Sequence, residues 1–262
     1  MRLARVDHDG GPSWAVVEGS TLVLIEDVLI ENLWRGGPVA TGERLPLEGA
    51  RLLAPAMPLN VVGMAHNTGA ADRQMRPQAF LKPARALAGP GSAIPVPQDI
   101  GRVDAEAELA VVIGRTARHL TAQNAFQHVL GFTLSNDVTA RDLQASDPLW
   151  TTAKGFDGWT LLGPWLETGL DPSDVRLTLS INDVPLESGS TANLARSALE
   201  VLVYITSFMT LGPGDVVLTG APGAVGRIRP GDRVSVSSPS LGRLESTVAA
   251  EPVLAGPGAA AS

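Results

Sequence analysis

The chain contains no cysteine. Disulfides, thiolate zinc sites and cysteine nucleophiles are therefore excluded. Aromatic residues make up only 4% of the sequence, too few for an aromatic-rich core. No apolar run approaches the length of a membrane span. The opening segment Met1 to Asp7 lacks the apolar stretch of a secretory signal. The expected location is the cytoplasm, with no membrane partner. A basic stripe is also missing: the net charge is -7 and charged residues are 18% of the chain. That balance argues against a nucleic-acid partner. It leaves room for an anionic small substrate, because a bound metal inverts the local field.

What is present is glycine (28) and proline (20) in a chain whose hydrophobic fraction is 44%. This pattern suits many short strands joined by tight turns, with enough apolar residues to bury a sizeable core. The expected fold class is mainly β with some α. Residues 1–57 read as a small β-rich unit, in which Trp14 to Val17 and Thr21 to Ile25 are strands separated by the hairpin signal Glu18-Gly19-Ser20. Gly36-Gly37-Pro38 breaks that pattern, and Ala54 to Pro58 reads as a linker. Residues 58–250 form the main domain and 251–262 a flexible, Gly/Ala-rich tail. Two helices are expected. One is capped by Thr121 and runs through Ala125 and Val129; the other starts near Thr191 or Asn193. In the second, Leu194, Ala198, Val201, Ile205 and Met209 recur at helical spacing, and Leu211-Gly212-Pro213-Gly214-Asp215 ends it.

The most informative segment runs from Val103 to Gly114. Read as a strand, it carries Ala105, Ala107, Leu109, Val111 and Ile113 on one face. The other face carries Asp104, Glu106 and Glu108, then Ala110 and Val112. Like charges two residues apart on one face repel unless a cation lies between them. Oxygen ligands of this kind suit Mg²⁺, Mn²⁺ or Ca²⁺. The pattern fits a wetted acidic strand end equally well. A second β-like run, Gly131 to Ser135, leads into Asn136-Asp137 and then Val138-Thr139-Ala140-Arg141-Asp142. Asp137 there is either a third ligand with supporting neighbours or a helix cap.

These two segments, with others in order, resemble the fumarylacetoacetate hydrolase family. The others are Phe80-Leu81-Lys82-Pro83, Lys154-Gly155-Phe156-Asp157, Leu162-Gly163-Pro164-Trp165, Thr210 to Asp215, and Thr219-Gly220-Ala221-Pro222-Gly223. The likeness spans about residues 58 to 248. It implies a mixed β-sandwich and roll core and a homodimer. It also implies Mg²⁺ or Mn²⁺ held by Glu106, Glu108 and Asp137. Family members act on small oxo acids, hydrolysing carbon–carbon bonds, decarboxylating, hydrating or isomerising. Their shared chemistry is a 2-oxo carboxylate chelated to the metal, which acts as a Lewis acid toward a developing enolate. By the same likeness Lys82 and Lys154 lie near that centre. Arg141 braces it, and Arg141, Gln144, Thr219 and Gly220 fall on the substrate side.

The match departs from the family at one decisive point. Hydrolytic members carry a pattern like Gly-Leu-Asn-Tyr-x-x-His-x-x-Glu, whose His and Glu activate water. Here the aligned stretch runs from Gly63 to Asp72, with Gly69 in place of the His and Asp72 in place of the Glu. A glycine accepts no proton. His66, three residues earlier, and Asp72 are the candidate replacements. Ala221 stands where the family commonly has a substrate-binding threonine. The leading expectation is a metal-dependent enzyme acting on a 2-oxo or β-keto carboxylic acid. Carbon–carbon cleavage, decarboxylation and hydrolysis are all open to it. The alternatives are an isomerase, tautomerase or cyclase on the same scaffold, or a non-catalytic binding protein.

Overall fold

The computed structural model describes residues 1–26 and 37–252. The expected break at Gly36 and most of the expected tail lie outside the described residues. The chain is mainly β, as its composition implies. Among the described residues, fourteen strands form one large sheet and six form a second. No helix of the described residues is long and apolar enough to cross a membrane.

The strand Val103–Ile113 is the axis of the large sheet, and all eleven of its residues are buried. Its alternation divides two cores. Ala105, Ala107, Leu109, Val111 and Ile113 enter the main hydrophobic cluster, whereas Ala110 and Val112 enter a second one. The strand Val129–Asp137 runs antiparallel beside it and pairs Glu108 with Ser135 and Ala107 with Asn136. Paired residues share a face and the side-chain period is two. This register therefore aims Asp137 at the face that carries Glu106 and Glu108. The acidic strand end is packed, not wetted.

On the other flank, Val216–Leu218 pairs with Val103–Ile113 and runs parallel to Val61–Ala65. Gln78–Lys82 follows as the sheet edge, pairing Gly63 with Phe80. A Cβ on Gly63 would stand 2.1 Å from the Phe80 ring, so the glycine makes room for that ring. The N-terminal strands join the same sheet through Arg2–Glu167 and Leu3–Leu166 pairs with the strand Thr160–Glu167. Gly11–Glu18 and Thr21–Ile25 form the expected hairpin.

Both helix expectations need correction. The segment after Thr121 forms only a 3-10 turn at Ala125–His128, and Val129 already belongs to a strand. The apolar run Val129-Leu130-Gly131-Phe132 is claimed by pairing with the central strand. The second helix starts later than expected, at Ala198–Phe208. Ser197 caps it, and Glu200 completes a capping box. Thr191–Asn193 is a separate 3-10 turn, and Leu194 lies between the two.

Candidate metal centre and active site

Glu106, Glu108 and Asp137 converge as the register requires. One carboxylate oxygen from each lies within 4.8 Å of the others, and all three residues are buried. Asp137 caps no helix; it ends its strand, and Ala140 holds the cap position of the helix Arg141–Ser146. Three carboxylates in so small a space form a hard, all-oxygen donor set. Such a set fits a divalent cation of the Mg²⁺ or Mn²⁺ type.

Each carboxylate is held by identifiable donors. Lys154 Nζ lies 2.8 Å from Glu106 Oε2 and also bonds Asp137. Thr139 Oγ1 donates to the same Glu106 oxygen at 2.9 Å, and Arg141 holds the other oxygen. Lys82 reaches Asp137 from beneath and donates to the Trp159 carbonyl at 2.9 Å. Glu108 accepts from the backbone N–H of Gly220 at 2.7 Å.

The electrostatics follow from these contacts. Burial lifts the Glu106 carboxyl, but Lys154 and Arg141 override it and hold the group down at about 2. Glu108 is pushed well above the usual carboxylate range, by burial first and then by the charges of Asp137 and Glu106. Burial opposes the charge on Lys154, yet Asp137, Glu106 and Glu108 together keep it above the ordinary lysine value. Burial pushes the Lys82 ammonium down, against the pull of Asp137 and with the repulsion of Lys154. Glu108 is thus the acid whose charge lacks compensation, and it has the most to gain from a cation.

A cavity of about 360 Å³ opens over this cluster. Glu106, Glu108 and Lys154 line it, together with His66 and Asp72 from one segment, Arg141 and Gln144 from the helix Arg141–Ser146, and Gly220 from a loop. Lys82 and Asp137 sit beneath it, fully buried side chain to side chain. Thr219, expected on the substrate side, turns away: its hydroxyl donates to the Leu109 carbonyl at 2.9 Å. Gly220 sits at φ +104, and a Cβ there would stand 2.3 Å from the Asn67 carbonyl oxygen. That close approach is why the loop needs glycine.

The expected water-activating dyad is absent from the geometry as well as from the sequence. Gly69 is extended, at φ -168, with open space where a side chain would start. The Asp72 carboxylate accepts from both the backbone N–H and the hydroxyl of Thr68, each at 2.8 Å. Those bonds hold its carboxyl below the usual range, the Thr68 backbone bond contributing most. His66 adopts φ +50 and points its ring at Trp150, with centroids 5.4 Å apart.

Three contributors were given no role from the sequence. Asn67 is completely buried. Its amide donates to the carbonyls of Arg196 and Thr219 at 2.9 and 2.7 Å and accepts from the Arg196 N–H at 2.7 Å. It clamps the turn that presents His66. Asp104 takes Arg102 and Arg141 together and so orients the arginine that holds Glu106. Phe80 packs its ring 4.7 Å from Lys154 Nζ and 5.5 Å from Trp150. Only the Asp104 position carried a signal, as the first acid of the alternating run.

Comparison with known proteins gives the same arrangement a lineage. Residues 55–249 match the family described as fumarylacetoacetate (FAA) hydrolase C-terminal, and residues 1–55 match one described as Rv2993c-like, N-terminal. Protein Rv2993c of Mycobacterium tuberculosis is 37% identical over 259 residues, covering 95% of this chain and 98% of its own. The structure of 5-carboxymethyl-2-hydroxymuconate delta-isomerase from Mycobacterium smegmatis superposes with a TM-score of 0.90 at 38% identity. It covers 96% of this chain and 100% of its own. Maleylpyruvate hydrolase from Sphingobium sp. SYK-6, solved with manganese(II) and pyruvate, superposes with a TM-score of 0.80 at 28% identity, covering 95% and 99%. Matched along nearly its whole length by proteins that include an isomerase and a hydrolase, and carrying a buried acidic triad, this chain belongs to the fumarylacetoacetate hydrolase family of enzymes.

Proposed function

We propose that the protein relocates a proton on a 2-oxo carboxylic acid, or removes CO₂ from a β-keto one. The reaction passes through the enolate, with Mg²⁺ or Mn²⁺ held by Glu106, Glu108 and Asp137. Carbon–carbon hydrolysis is not its main activity. The observation that carries this reading is the missing water-activating dyad: open space at Gly69, and Asp72 engaged by Thr68. Isomerisation and decarboxylation need an electron sink and a proton carrier but no activated water.

When bound, the cation supplies Lewis-acid withdrawal from the oxo group. The protein's own charges suit that partner. Asp104, Glu106, Glu108 and Asp137 are balanced by Arg102, Arg141, Lys82 and Lys154. A divalent cation then leaves two positive charges, which the carboxylate and enolate oxygens of one substrate offset. Lys154 lines the cavity with two of its three N–H donors engaged, leaving one for a substrate oxygen. Arg141 is engaged by Asp104, Glu106 and Gln144, so it braces the centre and Gln144 faces the substrate. His66 is the one imidazole lining this cavity among the described residues. We assign it the proton transfer, a role that an imidazole most often fills in general acid–base catalysis. The manganese and pyruvate held by the Sphingobium relative support the metal and substrate class. The isomerase relative supports the reaction type.

The test is to supply oxaloacetate and an acylpyruvate side by side with Mg²⁺ or Mn²⁺. Tautomerisation or CO₂ loss from oxaloacetate should exceed acylpyruvate hydrolysis by about 10²-fold or more, the range a general base contributes. Efficient acylpyruvate cleavage would return the protein to the hydrolases.

A further inference from the structure

A second cavity, of about 340 Å³, adjoins the one over the acidic triad. The two share Ala65, Phe80 and Trp150 as a common wall. Their chemistry differs sharply. The first is lined by Glu106, Glu108, Arg141 and Lys154, whereas among the described residues no charged side chain lines the second. Its surface comes instead from Phe80, Trp150, Pro148, Leu149 and Tyr204, with Gln78 at one side. Leu149, a large apolar side chain at the rim, is 77% exposed. Trp150 holds φ +59 and meets His66 on one ring edge and Phe80 on another. The small Ala221 lines the first cavity and not the second. Each cavity alone falls at the lower end of the range for small-molecule sites, and together they reach its middle.

We propose that the second cavity binds the apolar tail of the substrate whose oxo-carboxylate end lies at the triad. The enzyme's preferred substrate is then a 2-oxo acid carrying an aryl or branched-alkyl group. The charged head is taken by Lys154 and the metal centre, and the tail passes the Trp150 indole into the uncharged pocket. This inference rests on the oxo-acid reading given under Proposed function and names the substrate class for it.

The test compares pyruvate with phenylpyruvate, which differ only in the ring, by calorimetric titration of the Mn²⁺-loaded full chain. Phenylpyruvate should bind about tenfold or more tightly than pyruvate, the effect of burying two or more methylene equivalents. Gln78→Trp should remove that gain and leave pyruvate affinity unchanged, because Gln78 is exposed, shares a strand face with Phe80 and lines only the second cavity. Leu149→Asp, on the exposed rim, should remove it as well and guards against misfolding of the first variant. Equal affinity for the two acids, or a gain that survives both variants, overturns the tail site. Pyruvate binding without a phenyl gain leaves the oxo-acid reading standing, whereas failure of both acids to bind overturns the two together.

Discussion

The backbone N–H of Gly220 donates to Glu108 at 2.7 Å, and it does so from a loop position that only glycine fits. The acid with the least compensated charge is therefore aimed by a residue with no side chain. Gly220→Ala forces a Cβ against the Asn67 carbonyl in a positive-φ backbone. The substitution should destabilise the protein by about 1–3 kcal/mol and weaken divalent-metal binding in the same variant. Thermal unfolding and metal titration check the two effects, and an unchanged variant would show that the loop has slack.

The raised Glu108 predicts a pH dependence with a definite sign. In the metal-free protein its folded pKa lies above the unfolded value. Its contribution to stability is then fully present below the unfolded carboxylate pKa and is lost as pH rises through the folded one. Glu106 acts in the opposite sense and in a separate window, its contribution being lost as pH falls toward about 2. The metal-free protein should therefore lose stability on going from mildly acid to neutral pH. Glu108→Gln should flatten that slope, and divalent metal, which competes with the proton, should bind more tightly as pH rises. Unfolding midpoints with and without Mg²⁺ across this range are the check.

The third prediction concerns substrate charge. Lys154 lines the cavity, while Lys82 is locked beneath Asp137. An ester of the substrate acid should bind about 1.5–3 kcal/mol more weakly than the free carboxylate, the value of a charge-assisted hydrogen bond. Lys154→Met should erase most of the difference between acid and ester, and Lys82→Met should lower stability more than it alters discrimination. Competition titrations of the two ligand forms measure this directly.

The triad was legible in the sequence because strands have a period of two. Glu106 and Glu108 had to share a face, and Asp137 at the end of a second apolar run needed only the right register to join them. Family motifs supplied that register before it was seen. Asn67 was illegible because its partners, Arg196 and Thr219, lie 129 and 152 residues away. The Phe80–Trp150 wall was illegible for the same reason, since it joins a strand edge to a loop after an unrelated helix. The helix expected after Thr121 failed because sheet pairing of Val129–Asp137 outweighed a local periodicity only two turns long. Thr219 read as a ligand-side residue although its hydroxyl faces Leu109; strand-end geometry, not residue type, decides which way such a side chain points.

Hydrogen–deuterium exchange at the carbon beside the oxo group of 2-oxobutyrate, followed by NMR with Mg²⁺, tests enolate formation without any bond cleavage. The account predicts Mg²⁺-dependent exchange, abolished in Glu108→Gln and slowed about 10²–10⁴-fold in His66→Ala. Exchange no faster than the uncatalysed rate in an enzyme that hydrolyses acylpyruvates efficiently, with that hydrolysis surviving His66→Ala, would contradict it.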